Sequence, residues 1–187
     1  MLNRDTAYEL LTKYNKSQAL ITHALAVESV MKYFAEKKGE DKDYWGAVGL
    51  IHDIDYELYP NEHCHKSKEI LEMEGIDSDT IQSVISHGWG LCYDVEPVKE
   101  MEKVLYTIDE LTGLVNATVL MRPDKSIMDL EVKSVKKKFK SKGFASGVNR
   151  DVILKGCEMI EMDLDEVILW TVEGMKIEAE ALGLKGE

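Results

Sequence analysis

Apolar residues recur every three or four positions along most of this chain, which is the period of an amphipathic α-helix. Leu, Glu, Lys, Ala and Met are plentiful and favour helix, whereas proline occurs only at residues 60, 97 and 123. No segment shows the alternation of apolar and polar residues that predicts a β-strand. The sequence therefore predicts an all-α fold, and its length predicts one domain over residues 1–187.

Start and stop signals along the chain set the predicted helix boundaries. Gly39 and Gly88 end two of the periodic segments, and Pro97 suits the first turn of a long helix. The segment 54–65 contains a proline and several polar residues, which predicts a loop. Helices are predicted over residues 5–14, 17–38, 41–53, 66–73, 79–87, 97–121, 129–140, 149–161 and 163–182.

The net charge of −12 limits the partners of the chain. Such an excess of acid disfavours a surface that covers nucleic acid or an anionic membrane, so we expect no extended nucleic-acid binding. A small anionic substrate in a locally basic or metal-bearing pocket is compatible with this charge.

Three isolated cysteines, Cys64, Cys92 and Cys157, share no C-x-x-C spacing. This pattern predicts neither a disulfide framework nor a thiolate zinc site, and it fits a reducing compartment. The first residues lack the apolar run of a signal peptide, and no segment approaches the roughly 18 apolar residues of a membrane span. We therefore expect a cytoplasmic protein without membrane association.

Two ionisable residues lie on or beside the apolar faces of predicted helices. His23 shares a stripe with Leu20 and Val27, and Asp109 follows Leu105 by four residues. Burying such a group without a partner costs on the order of several kcal/mol. Two groups of this kind on separate helices indicate a shared site at which a partner or a metal ion satisfies them.

The dipeptide His52-Asp53 lies at the end of a predicted helix. Neighbouring helical residues point about 100° apart, so these two side chains cannot easily chelate one ion within a helix. At a helix end the carboxylate can turn and bridge, which favours two metal ions over one. Imidazoles and carboxylates that converge from rigid elements suit a divalent transition metal.

The order of these histidines and aspartates resembles the HD superfamily of metal-dependent phosphohydrolases, which are helical proteins named after their His-Asp pair. The motifs cover about residues 18–115, and the C-terminal helices would complete the bundle. The resemblance implies an HD-domain helical bundle that binds two divalent ions, of Fe, Mn, Ni or Zn. The metal ligands that it implies are His23, His52, Asp53, His63, His87 and Asp109.

Two positions near this set leave alternatives open. The family places one ligand four residues before a small residue that opens a helix, which here is Ser67, so His63 is the match and His65 the reserve. Asp55 could orient a ligand or a water molecule, or it could cap the turn that leaves the helix.

The function that the resemblance implies is hydrolysis of a phosphate ester by a metal-activated water, with Asp53 and Asp55 as catalytic residues. The substrate would be a small phosphorylated metabolite or a nucleotide. One alternative is a mixed-valence di-iron oxygenase of the same superfamily, and another is a non-enzymatic metal-binding module.

A basic stretch stands out in this acidic chain. Residues 132–150 contain seven basic residues and no acidic one, and the part up to residue 140 also resembles uncharacterised HD proteins. Lys138, Lys142 and Arg150 are the predicted substrate-binding residues, through phosphate. The alternative is a solvated helix face.

Overall fold

The computed structural model describes residues 2–186, and within that range it consists of helices, turns and loops without a β-sheet. This confirms the predicted all-α class. The helices are α1 (Arg4–Tyr14), α2 (Gln18–Lys38), α3 (Lys42–Ile51), α4 (His65–Met73), α5 (Ser78–Ile85), α6 (Glu100–Leu120), α7 (Val132–Lys140), α8 (Arg150–Met159) and α9 (Leu164–Ile177). Short 3-10 turns cover Pro60–Glu62 and Ser86–Gly88.

Most helix ends match the predicted signals, but two long helices are shorter than predicted. The predicted helix 97–121 begins at Glu100, because the side chain of Glu102 accepts hydrogen bonds from the backbone N–H groups of Val98 and Lys99 and fixes them ahead of the helix. The last helix ends at Ile177 and continues as turns.

The two long helices α2 and α6 form the centre of the fold. Helix α2 packs against α3, α6 and α9, and α6 packs against α8 as well. Their facing side chains are fully buried, among them Val27, Val30 and Phe34 of α2 and Leu105 and Ile108 of α6. This packing brings His23 on α2 and Asp109 on α6 together, because each lies beside the buried face of its helix.

The close approach of α9 to α2 depends on Gly174. A Cβ atom at this position would lie 2.8 Å from the Cα atom of Val30, which is closer than real Cβ contacts. The hydroxyl of Ser29 donates to the carbonyl of Gly174 at 2.5 Å across the same contact. The glycine therefore holds α2 in the position from which His23 reaches the site.

Over residues 2–186, no helix combines the length and the apolar character that crossing a membrane requires. The assignment of residues 1–187 to one domain stays a prediction.

Candidate functional site

Six residues predicted as ligands converge in one region of the fold. His23 lies on α2 and Asp109 on α6, whereas the other four lie at or beyond helix ends. His52 caps the C-terminus of α3, Asp53 follows it, His63 precedes α4, and His87 lies in the 3-10 turn after α5.

The carboxylate of Asp53 is surrounded by imidazoles. The Nε2 atoms of His63 and His87 lie 3.3 and 3.4 Å from its Oδ1 atom. The Nε2 atoms of His52 and His23 lie 3.4 and 3.9 Å from its Oδ2 atom. All four histidines therefore direct the same ring nitrogen towards one carboxylate.

The second carboxylate of the site belongs to Asp109. Its Oδ1 atom lies 2.9 Å from Nε2 of His23, at hydrogen-bond distance, and 3.4 Å from Nε2 of His52. His23 and His52 thus face both Asp53 and Asp109, and they connect the two halves of the site.

Backbone carbonyls orient two of the rings. The Nδ1 atom of His52 donates to the carbonyl of Gly49 at 2.7 Å, and that of His87 donates to the carbonyl of Val84 at 2.6 Å. A carbonyl only accepts, so Nδ1 of each ring carries a proton and the Nε2 atom points into the site.

Asp55 orients the third ring from behind. Its Oδ1 atom lies 2.7 Å from Nδ1 of His63, and its Oδ2 atom accepts a hydrogen bond from the backbone N–H of Ser67 at 2.8 Å. Asp55 is fully buried and caps α4, not the turn that leaves α3. Cys64, which lies between His63 and Ser67 in the sequence, has a φ of 65°. This value is strained for a residue other than glycine, and such strain is common at binding sites.

The site keeps its carboxylates ionised. Burial alone would raise the pKa of Asp53, but His52 and His87 lower it well below its ordinary value. The pKa of Asp109 is lowered in the same way, by His52 and His23 against the effect of burial. Burial alone would lower the pKa of His52, but Asp53 and Asp109 raise it well above its ordinary value.

One buried atom has no hydrogen-bond partner here. The Nε2 atom of His52 is buried and, within residues 2–186, accepts and donates no hydrogen bond. Buried polar atoms without a partner are uncommon in folded proteins, because each one loses its bonds to water and gains none in return. A bound ion or ligand that contacts this nitrogen would supply the missing interaction.

Within residues 2–186, three groups of three have the donors and the spacing to hold a metal ion, with the donor atoms of each group within 4.8 Å of one another. They are His23, His52 and Asp109; Asp53, His63 and His87; and His63, Cys64 and Cys92. The third group contains two thiols, which the separate cysteines of the sequence did not predict.

A cavity of about 400 Å³ opens above these side chains. We call it the histidine–aspartate pocket; its charged and polar lining includes His23, Asp53, His63, His87 and Asp109. The rest of the lining is largely apolar and includes Tyr56, Leu91, Tyr106 and Val148.

Three residues that the sequence reasoning missed lie in or beside this pocket. Glu110 lines it, and burial followed by the charge of Asp109 raises its pKa. The Sγ atoms of Cys64 and Cys92 lie 3.4 Å apart, and both cysteines are free thiols. The position of Cys64 next to His63 was the only signal in the sequence, because Cys92 is 28 residues away.

The reserve histidine lies elsewhere. The ring of His65 is exposed and lies 4.6 Å from the ring of Tyr93, whereas His63 faces Asp53.

The predicted substrate-binding residues Lys138, Lys142 and Arg150 do not line the pocket. The amine of Lys138 lies 4.5 Å from the centre of the Phe144 ring. The guanidinium of Arg150 donates to backbone carbonyls, including that of Phe139 at 2.8 Å. A phosphate-binding role for these three residues stays a prediction.

Comparisons with known proteins match the chain to a tRNA methyltransferase, among others. No family model matches the chain, and no solved structure matches it. The chain is 28% identical over 166 residues to a tRNA (cytidine(56)-2'-O)-methyltransferase of Thermoplasma volcanium. The alignment covers 85% of this chain and 48% of the relative, so the chain spans about half the length of the protein it matches.

The name of this relative contradicts the interpretation as an HD phosphohydrolase. A methyltransferase moves a methyl group and needs no metal-activated water, so the expected hydrolysis of a phosphate ester is wrong. The hydrolase class is wrong for the same reason, and the alternatives of a di-iron oxygenase and a metal-binding module have no support.

The expected cofactor and partners are corrected in the same way. Methyltransferases commonly take the methyl group from S-adenosylmethionine, which contradicts the pair of divalent ions. The tRNA in the name of the relative contradicts the small phosphorylated substrate and the expected lack of extended nucleic-acid binding. The net charge describes the whole surface and not its local basic parts, so it does not by itself exclude such a partner.

Proposed function

We propose that this chain takes part in tRNA modification and that the histidine–aspartate pocket is its ligand site. The alignment with a tRNA methyltransferase supports the first part, because it covers 85% of this chain. About half of the relative lies outside the alignment, so the proposal is participation in tRNA modification and not methyl transfer by this chain alone. A cytoplasmic location belongs to the same proposal.

The ligand of this pocket carries a cationic group. Two ionised carboxylates, Asp53 and Asp109, converge on the Nε2 atom of His52, which has no hydrogen-bond partner within residues 2–186. This convergence supports a cationic ligand. A positive charge between them would satisfy both carboxylates, and it would take the place of the proton that Asp53 and Asp109 favour on His52. The proposed binding residues are His23, His52, Asp53, His63, His87 and Asp109.

The source that the class of the relative suggests is the sulfonium of S-adenosylmethionine. Binding of a metal ion by the same oxygen and nitrogen atoms is the competing outcome of the test. Asp53 would contact the ligand directly, whereas Asp55 acts through the His63 ring and is a positioning residue.

The experiment is isothermal titration of the metal-free protein with S-adenosylmethionine in one arm and with Mn²⁺ or Zn²⁺ in the other. We expect binding in the S-adenosylmethionine arm and a loss of affinity of on the order of tenfold or more in Asp53→Asn, which corresponds to about 1.4 kcal/mol or more. Binding in the metal arm alone would contradict S-adenosylmethionine as the ligand. Asp94→Asn, which removes an exposed carboxylate outside the pocket, is the matched control. Binding in neither arm would overturn the cationic ligand.

Participation in tRNA modification is tested separately. A filter-binding assay with an unmodified tRNA transcript should show saturable binding that duplex DNA of the same length does not compete away. Failure of the wild-type chain to retain tRNA at low salt would contradict this part of the proposal.

A further inference from the structure

The basic stretch of residues 132–150 forms α7 and the loop that leads to α8. It contains seven of the 23 basic residues of the chain and none of the 35 acidic ones. In a chain of net charge −12, this is the region where the field of the protein can attract an anion.

Some of these lysines already have partners. The amine of Lys133 lies 2.6 Å from Glu131, and that of Lys136 lies 2.6 Å from Asp165. These pairs cancel their charge locally, so the two lysines are poor candidates for binding phosphate.

Lys140 and Lys142 are different. Both are exposed, and neither lies within ion-pair distance of a carboxylate belonging to residues 2–186. Their amines therefore keep a full positive charge available to an external anion.

These two lysines border a groove next to the histidine–aspartate pocket. The groove is lined by Lys140 and Lys142, and it shares Gly147 and Val148 with the lining of the pocket. A ligand can consequently run from the lysines across these two residues into the pocket without leaving the surface.

The far rim of the pocket offers apolar surface. Tyr56 and Leu91 are 44% and 51% exposed although both are large and apolar, and both line the pocket. The ring of Tyr56 packs edge-on against that of His63, with centroids 5.2 Å apart, which holds the tyrosine in place. A fixed aromatic ring at the mouth of a cavity is a surface on which a nucleobase can stack.

We propose that this groove binds a single-stranded segment of tRNA, with its phosphates along Lys140 and Lys142 and one base against Tyr56 at the mouth of the pocket. Lysines that follow the backbone and an aromatic ring that stacks a base are the two parts of a single-strand binding surface. Duplex RNA does not fit this arrangement, because its bases are already stacked and paired. The inference rests on the proposed participation in tRNA modification.

The first test measures the salt dependence of tRNA binding for the double variant Lys140→Glu and Lys142→Glu. Each lost phosphate contact to a single strand lowers the magnitude of the slope of log affinity against log salt by roughly 0.7. For two contacts we expect a decrease of about 1.4 and a loss of affinity of about tenfold or more at low salt. The control is the double variant Lys42→Glu and Lys125→Glu, which makes the same charge change at exposed lysines away from the groove. It should retain the wild-type slope.

The second test separates stacking from charge. Tyr56→Ala should lower the affinity for tRNA on the order of tenfold and leave the salt slope unchanged, because stacking releases no counterions. Tyr56→Phe keeps the ring and should bind as the wild type does. Equal losses in both variants would show that the hydroxyl and not the ring is required, which contradicts a stacking role.

The outcomes distinguish the two proposals. If the wild-type chain binds no tRNA, the proposed function and the groove both fail. If it binds tRNA but the groove variant has the same slope as the control variant, the groove is wrong and the proposed function stands. Competition by duplex RNA as strong as that by single-stranded RNA would also overturn the groove.

Discussion

Two carboxylates of this protein, the fully buried one of Glu102 and the partly buried one of Asp53, have opposite surroundings. Glu102 accepts hydrogen bonds from the backbone N–H groups of Val98 and Lys99 at 2.8 and 3.0 Å, and from the hydroxyl of Ser83 at 2.9 Å. Asp53 faces only ring nitrogens, at 3.3 Å and beyond.

The comparison separates a carboxylate that stabilises the fold from one that is placed for a ligand. Fixed donors from the backbone complete the hydrogen bonds of Glu102, so its charge is satisfied by the fold alone. The neighbours of Asp53 are themselves able to bind a cation, and none of them is a backbone donor. We therefore expect their substitutions to affect different properties.

The largest effect on stability is expected for Glu102→Ala. The change removes the acceptor shared by two partly buried backbone N–H groups, and it leaves the hydroxyl of Ser83 with the carbonyl of Asp79 as its acceptor. We therefore expect the free energy of unfolding to fall by about 3 kcal/mol. Urea unfolding followed by circular dichroism measures it. Glu96→Ala, an exposed neighbour, should stay within about 0.5 kcal/mol of the wild type.

Asp55 contacts both a backbone N–H group, as Glu102 does, and a histidine ring, as Asp53 does. Asp55→Asn weakens the charged hydrogen bonds to His63 and to the backbone of Ser67, so we expect a loss of about 2 kcal/mol in the free energy of unfolding. Nitrogen-15 NMR should also show that Nδ1 of His63 loses its fixed protonation. Unchanged stability together with an unchanged His63 spectrum would contradict the positioning role.

Asp53→Asn should change the free energy of unfolding much less than Glu102→Ala does. Within residues 2–186, no backbone donor depends on Asp53. The substitution loses the attraction of this carboxylate to His52 and His87 but relieves its repulsion from Asp109, so we expect the free energy of unfolding to change by less than about 1 kcal/mol. Affinity for the cationic ligand should nevertheless fall. A loss of stability as large as that of Glu102→Ala would mean that Asp53 stabilises the fold.

The smallest effect is expected for Arg4→Ala. The guanidinium of Arg4 lies 2.6 Å from the buried carboxylate of Glu28, but its side chain is 46% exposed and Lys32 lies 2.5 Å from the same oxygen. Because Lys32 still pairs with Glu28, we expect a loss of about 0.5 kcal/mol. Thermal unfolding of Arg4→Ala beside Lys32→Ala measures it; a loss above about 2 kcal/mol from Arg4→Ala alone would contradict the shared pairing.

Helix boundaries show how far local signals reach. Gly39, which has a φ of 75°, ends α2 where the sequence predicts. The predicted start of α6 at residue 97 was wrong, because Pro97 is by itself a good first-turn residue. Only the contact of the buried Glu102 side chain with the backbone N–H of Val98 keeps Pro97 outside the helix. Such a contact depends on burial, which the periodic pattern does not reveal.

The sequence likewise predicted some residues of the candidate site and missed others. The positions of His23 and Asp109 beside apolar stripes predicted their approach, and the two side chains lie 2.9 Å apart. The positions of Cys92, Tyr56 and Glu110 at the same pocket had no such signal, because loops and helix edges from distant parts of the chain bring them there. The sequence also did not show that the guanidinium of Arg150 donates to the carbonyl of Phe139, and its phosphate-binding role stays a prediction.

The sequence by itself determined the helical class and the meeting of histidines and aspartates, because the period of apolar residues sets which side chains each helix buries. Only the tertiary structure decided that His63 and not His65 faces Asp53, since the backbone at Cys64 turns with a positive φ between them. It also decided that Lys140 and Lys142 stay unpaired beside the pocket, within residues 2–186, while Lys133 and Lys136 find carboxylates, because charge pairing depends on which elements pack together.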